Sequence, residues 1–281
     1  MIRMPASGSG IVWGVSVLYL VGIEPAVAQE PSARFSVAVY NIHAGKDADG
    51  EDNLSRVTQF IRDHELDLIL LQEVDRGTTR SGGIDQITLL ADSLDYHWAF
   101  GETLAFQGGQ YGIAVLSRWP LHADTLLRLP VDPPQERAGG AYEPRGALYV
   151  VLNTPVGRLH VFNTHLDPSP NDHHRIQEVE TLVQSATDPS ASNGYVLIGG
   201  DFNSEPETRT ISRMTEIGFF DSFDLCGSGP GGTYPTTDPV KRIDYLFTSR
   251  NISCTEALVV DYRASDHRPL VVSIELGGND E

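Results

Sequence analysis

Cysteine is nearly absent: Cys226 and Cys254 are the only two in 281 residues. Two thiols are too few for a thiolate zinc site, which leaves one disulfide or two unpaired buried cysteines as equal readings. Basic residues are also scarce, with 20 Lys and Arg against 38 Asp and Glu and a net charge of −18. That balance argues against tight, nonspecific clamping on nucleic acid, because neutralising phosphates takes Lys and Arg. It does not exclude nucleic acid, since a local metal site can offset the charge. Long apolar runs are missing too. The longest, at 11–23, is about 13 residues, short of the roughly 20 that a spanning helix needs. With Arg3 before it and Ala26-Val27-Ala28 after it, the run reads as an export signal over 1–28. No cysteine near the cleavage site supports a lipid anchor. The expected mature chain, 29–281, is a monomer without a stable membrane span, exported to the periplasm or secreted. Its net charge is unchanged, because the leader holds only Arg3 and Glu24.

The remaining length suits one α/β domain with a substantial core, and neither repeat nor linker divides it. Alternation and β-forming residues predict strands at 35–40, 66–71, 111–116, 147–152, 159–163, 195–198, 243–248, 255–260 and 270–276. Helices are expected after Asp52 or Asn53 with Leu54, Val57, Phe60 and Ile61 inward, and over 85–94, 172–186 and 207–217. A Pro-rich excursion spans about 129–144. Alternating strands and helices, with hairpin spacing near the end, imply two mixed sheets packed together with helices outside.

Polar blocks close or follow these apolar runs: YNIH (Tyr40 to His43), LQEV (Leu71 to Val74), NTHLD (Asn163 to Asp167), GGDFN (Gly199 to Asn203), RIDYLF (Arg242 to Phe247) and SDHRP (Ser265 to Pro269). Asp, Glu, Asn and His at strand ends supply oxygen ligands for Mg²⁺ and imidazoles for proton transfer. Glu73 ends a buried strand, where an ionised carboxylate needs compensation, and Asn41 adds a neutral oxygen if its strand adjoins. Gly199 and Gly200 allow bare backbone where Asp201 and Asn203 emerge, both facing one way if the segment is extended. The ordinary alternative there is an Asx turn. Asp244 is the candidate to orient His267, and His165 supplies a second imidazole. Two histidines flanking phosphorus suit in-line displacement. His43 is placed at the cleft rim, while His173 and His174 read as solvated. Arg145 reads equally as a phosphate clamp or an ordinary surface arginine.

Together with YGIAVLSR (Tyr111 to Arg118), these blocks resemble the ordered signatures of the endonuclease/exonuclease/phosphatase superfamily from Tyr40 to Pro269. The resemblance implies a four-layered αββα sandwich with one or two Mg²⁺ or Mn²⁺ ions at one end. It implies metal-side roles for Asn41, Glu73 and Asp266, water and phosphate positioning by Asp201 and Asn203, and a His267–Asp244 base dyad. A histidine at 165 is similar to deoxyribonucleases, sphingomyelinases and phosphatases rather than abasic-site endonucleases; Gln110 and Glu102 are its candidate partners. Trp98, Phe100 and Phe106 are the material for an apolar lip. The expected activity is Mg²⁺-dependent phosphoester hydrolysis, first of a phosphodiester in nucleic acid or a phospholipid headgroup. The alternatives are an inositol-phosphate type of phosphomonoesterase and a catalytically silent binding module.

Overall fold

The computed structural model describes Met1 and residues 32–132 and 143–277, so the rest of the expected leader and most of the 129–144 excursion lie outside the described residues. In chain order the elements are β1 (Ala33–Asn41), a 3-10 turn (His43–Gly45), α1 (Leu54–Asp63), β2 (Leu68–Arg76), α2 (Gln86–Leu94), β3 (His97–Phe106), β4 (Gly109–Ser117), β5 (Leu121–Leu129), β6 (Arg145–Thr154), β7 (Gly157–His165), α3 (His173–Ala186), α4 (Pro189–Ser192), β8 (Tyr195–Asp201), α5 (Arg209–Ile217), β9 (Phe220–Asp221), α6 (Ser222–Cys226), β10 (Asp244–Thr248), β11 (Ile252–Val259) and β12 (Leu270–Leu276).

The strands make two six-stranded sheets, ordered β11-β12-β1-β2-β4-β3 and β5-β6-β7-β8-β10-β9. Both are mixed: β1 with β2 and β7 with β8 run parallel, and their other pairings are antiparallel. Successive side chains of a strand face opposite ways, so a strand covered on both faces is apolar throughout. Val37, Val39, Leu68 and Leu70 accordingly meet Leu148, Val150, Val161 and Leu197 between the sheets. Their neighbours Ala38, Tyr40, Ile69 and Leu71 face outward onto Val57, Phe60 and Ile61 of α1 and Ile87 and Leu90 of α2. On the other side Phe162, Ile198 and Phe247 pack on Val179 and Leu182 of α3 and Ile211 and Met214 of α5. The four layers expected from the sequence are present.

Two long strands escape the sequence reading. β3 turns small residues inward at Ala99, Gly101 and Thr103, and β5 is mostly exposed, so neither carries a continuous apolar run. Both are edge strands. Asn53 precedes α1 without capping it; its amide donates instead to the Ile42 and Lys46 carbonyls, at 2.9 and 2.8 Å. The aromatic lip is covered by guanidinium groups. Arg76 lies over Trp98 and Phe100 at 5.0 and 5.1 Å, and Arg80 over Phe106 at 4.8 Å. Among the described residues no helix is long and apolar enough to cross a membrane.

Cys226, at the end of α6, and Cys254, in β11, form a disulfide with their Cα atoms 5.9 Å apart. That closes the choice the sequence left open. Cross-linking across a separation of 28 residues removes loop-closure entropy from the unfolded chain, on the order of 3–4 kcal/mol in the entropic account. Replacing both cysteines with alanine is expected to lower the unfolding free energy by about that amount in a urea titration; an unchanged midpoint would contradict the assignment.

Candidate active site

The site lies where β1, β2, β7 and β8 end and β10 begins. Parallel register puts His165 beside Asp201, and antiparallel register puts Asp244 on the other side of Asp201. Gly200 makes this approach possible. Its φ is 144°, and a Cβ there would stand 1.9 Å from the Thr164 carbonyl oxygen, so only glycine fits.

Glu73 reaches the site through a defect in β2. The strand bulges between Leu71 and Val74, and Glu73 takes a φ of 55°, a left-handed conformation that costs on the order of 1–3 kcal/mol outside glycine. The interrupted ladder is completed from the other sheet. Asn163 donates from Nδ2 to the Leu71 and Ala114 carbonyls at 2.9 and 2.8 Å, and its Oδ1 accepts from Gln72 Nε2 at 2.7 Å. Gln72 and Asn163 are fully buried. They lie within LQEV and NTHLD, yet their role as a polar tie between the sheets was missed. The available signal was an amide directly following each buried apolar run.

Asp201 is the hub. It is 2% exposed, and its Oδ2 accepts from Asn41 Nδ2 at 3.1 Å and faces His165 Nε2 at 3.5 Å and His267 Nε2 at 3.7 Å. Asn41 Nδ2 also donates to Glu73 Oε1 at 3.1 Å. Burial, followed by the neighbouring Asp244 charge, raises the Asp201 carboxyl to about 7, while His267 pulls the other way. His267 Nδ1 is 2.8 Å from Asp244 Oδ2. Burial by itself lowers an imidazolium, but the Asp244 charge and hydrogen bond, with Asp201 and Asp266 behind them, raise His267 to about 10.

Seven of the expected residues therefore come together: Asn41, Glu73, His165, Asp201, Asn203, Asp244 and His267. Asp266 lines the cleft with Asn203 and His267, and its Oδ1 lies 3.8 Å from Nδ1 of His43, which is on the rim as expected. The chain at Asn203 is not extended. Asn203 has a φ of 47°, its N–H donates to Asp201 Oδ1 at 2.9 Å, and its side chain donates to the Leu166 carbonyl at 3.0 Å. Asp201 and Asn203 thus form an Asx turn. Arg145 is not an open clamp: it is 5% exposed, and its Nη1 donates to Glu143 at 2.7 Å. Gln110 donates to Glu102 rather than serving as the partner expected for His165. His174 is buried, not solvated, and its Nδ1 has no hydrogen-bond partner.

The donor set fits a hard divalent cation. Asp201, Asp244 and His267 each offer a ligand atom, all buried and within 4.8 Å of one another, and Asp244 Oδ1 is buried without a partner. Glu73 and Asp266, with the amides of Asn41 and Asn203, add oxygen donors of the kind Mg²⁺ and Mn²⁺ prefer.

An uncharacterised Escherichia coli (strain K12) protein, YbhP, is 27% identical over 256 residues, 86% of this chain and 96% of its own. An endonuclease/exonuclease/phosphatase from Beutenbergia cavernae superposes with a TM-score of 0.73 at 23% identity, over 87% of this chain and 72% of that one. The mannosyl-6-phosphatase Bt3783 of Bacteroides thetaiotaomicron gives 0.69 at 19% identity, over 85% of this chain and 99% of that one. The sequence profile of the Endonuclease/Exonuclease/phosphatase family matches residues 38–267, which contain every residue placed in the site. The chain belongs to the endonuclease/exonuclease/phosphatase family.

Proposed function

We propose that this protein is an exported, Mg²⁺- or Mn²⁺-dependent phosphoester hydrolase acting by direct attack of water, with phosphodiesters as its first substrate class. The observation that carries this reading is one buried carboxylate, Asp201, faced by Asn41, His165 and His267. Glu73, Asp266 and the amide oxygen of Asn41, rather than the Asp201, Asp244 and His267 cluster, would hold the ion, because a protonated His267 offers a metal no lone pair; when bound it would neutralise charge on the phosphoryl oxygens. Asp201, with its carboxyl near 7, orients water and accepts its proton at neutral pH. In this reading His267 acts as a cation, where the resemblance implies a base. Held by Asp244 and raised to about 10, it is an imidazolium at neutral pH whose Nε2–H can donate to a phosphoryl oxygen. His165, whose Nε2 faces the same carboxylate at 3.5 Å, is the donor to the leaving oxygen in this reading.

Export is supported by Arg3, the apolar run and the small residues at 26–28, and by the disulfide, which suits an oxidising compartment. Phosphomonoester hydrolysis is the second reading, favoured by the same fold in the mannosyl-6-phosphatase. A silent binding module is disfavoured because none of the central side chains is missing.

Purified protein with Mg²⁺ should turn over at least one of DNA, RNA, sphingomyelin, an inositol phosphate or bis-p-nitrophenyl phosphate, and lose activity in EDTA until Mg²⁺ or Mn²⁺ is restored. Inertness towards all of them would remove the hydrolase reading. His267→Ala should lower turnover by roughly 10²–10⁴-fold with the melting temperature and metal affinity largely retained; a near-normal rate would contradict its role. Glu73→Ala should instead raise the Mg²⁺ concentration for half-activation about tenfold or more, and an unchanged requirement would move the ion elsewhere. In the metal-free protein, Asp244→Asn should bring the His267 titration, followed by NMR, down from about 10. Because the folded value is the raised one, the stability from this pair is complete below about 6.5 and is lost as pH rises through about 10. A mutant whose stability profile over that window matched the wild type would contradict the coupling.

A further inference from the structure

His43, the last residue of YNIH, has no part among the hydrolytic groups described above. It opens a turn whose backbone is left-handed at three successive residues, with φ of 50° at His43, 53° at Ala44 and 78° at Gly45. Residues bearing a Cβ avoid that region, so two in succession must be held there by their surroundings. Two buried amides hold them. Asn53 donates to the Ile42 and Lys46 carbonyls on either side of the turn at 2.9 and 2.8 Å, and Gln86 of α2 donates to the Ala44 carbonyl inside it at 2.7 Å. Gln86 is itself fixed, because its amide oxygen accepts from the Asp75 N–H at 2.9 Å. Backbone strain enforced in this way is concentrated at sites where it serves a function.

The strained turn brings His43 against the metal side of the cleft at two points. Its N–H donates to Asn41 Oδ1 at 3.0 Å, and its ring Nδ1 lies 3.8 Å from Asp266 Oδ1. The side chain is 42% exposed, yet Nδ1 is buried and has no hydrogen-bond partner. The inward nitrogen is thus the unsatisfied one. Its distance from Asp266 is too long for a hydrogen bond. It does lie within the span of two ligands on one octahedral ion, roughly 3.0 Å for neighbours and about 4.2 Å for opposite ligands with bonds of about 2.1 Å. Buried polar atoms are normally satisfied, and an orphan beside two oxygen donors has the surroundings of a ligand atom.

We propose that His43 is a nitrogen ligand of the divalent ion held at Asn41 and Asp266, and that it shifts the preference of the site from Mg²⁺ towards first-row transition ions. Mg²⁺ is served by oxygen donors, whereas an imidazole adds affinity that rises from Mn²⁺ to Co²⁺. The assignment rests on the hydrolase reading for the place of the ion, but not on which ester is cleaved.

The test titrates the metal-free full chain with Mg²⁺, Mn²⁺ and Co²⁺ by calorimetry and records the electron spin echo of the Mn²⁺-loaded protein, in which a coordinated imidazole gives nitrogen modulation. His43→Asn removes the imidazole and keeps a side chain that tolerates the left-handed turn; His43→Ala removes the donor altogether. Both variants should lose the nitrogen modulation. Both should also bind Mn²⁺ and Co²⁺ about tenfold or more weakly, Co²⁺ losing the most, with Mg²⁺ affinity in His43→Asn close to that of the wild type. A residue that only shapes the turn would leave the order of affinities unaltered in His43→Asn, and that result would overturn the proposal. Modulation that persisted in both variants would overturn it too, as would a chain that bound none of the three ions. Hydrolysis of bis-p-nitrophenyl phosphate with Mg²⁺ separates the two readings. An active wild type whose His43→Asn variant kept its Mn²⁺ and Co²⁺ affinities would retain the hydrolase reading and lose the ligand. A wild type inert towards every ester, but with nitrogen modulation that disappeared in His43→Asn, would lose the hydrolase reading and retain the ligand.

Discussion

A single carboxylate buried between two sheets sets the terms for the rest of this molecule. Asp201 is 2% exposed, and an isolated ionised carboxylate in such surroundings costs several kcal/mol. The fold offsets that cost with an amide from β1, the Asn203 backbone N–H and two imidazoles. The offset is incomplete, and the carboxyl is accordingly raised to about 7. A carboxylate compensated incompletely is a better proton acceptor than one fully stabilised. His267 shows the opposite balance: Asp244 overcompensates for its burial, keeping it charged.

Such balances survive only if the two sheets keep their relative position, because Asn41 and Glu73 come from one and His165, Asp201 and Asp244 from the other. Apolar packing between sheets resists separation but is tolerant of sliding. The Gln72–Asn163 pair is not tolerant. Its hydrogen bonds have fixed directions and end on carbonyls at the bulge itself, so sliding would leave several buried polar groups unpaired. The same tie stabilises the left-handed conformation that presents Glu73. Strain at Glu73 and rigidity between the sheets therefore have one origin.

Much of this was legible in the sequence, for an identifiable reason. Strands buried on both faces are apolar throughout, so the polar residues that end them stand out, and that is where Asn41, Glu73, Asp201 and Asp244 were found. β3 and β5 were not legible because edge strands bury little and small residues carry the inner face of β3. The direction of a side chain was also hidden. Arg145 and His174 sit in segments that read as surface, yet both are buried, and Arg145 lies near Tyr111, Glu178 and Asp167, all remote in sequence. The Asx turn at Asn203 was recognised as an alternative but could not be preferred without knowing its φ of 47°.

The chain's acidity bears on how its site meets a substrate. A net charge of −18 repels phosphoesters at long range, more strongly the more charges they carry, within a screening length of about 8 Å at physiological salt. A polyanionic strand lying across the surface would feel that repulsion along its whole length. A compact substrate feels it only on approach; once inside it meets Arg175, Lys241 and the His267 imidazolium. Long-range repulsion therefore weighs more heavily on a polyanionic polymer than on a small phosphoester.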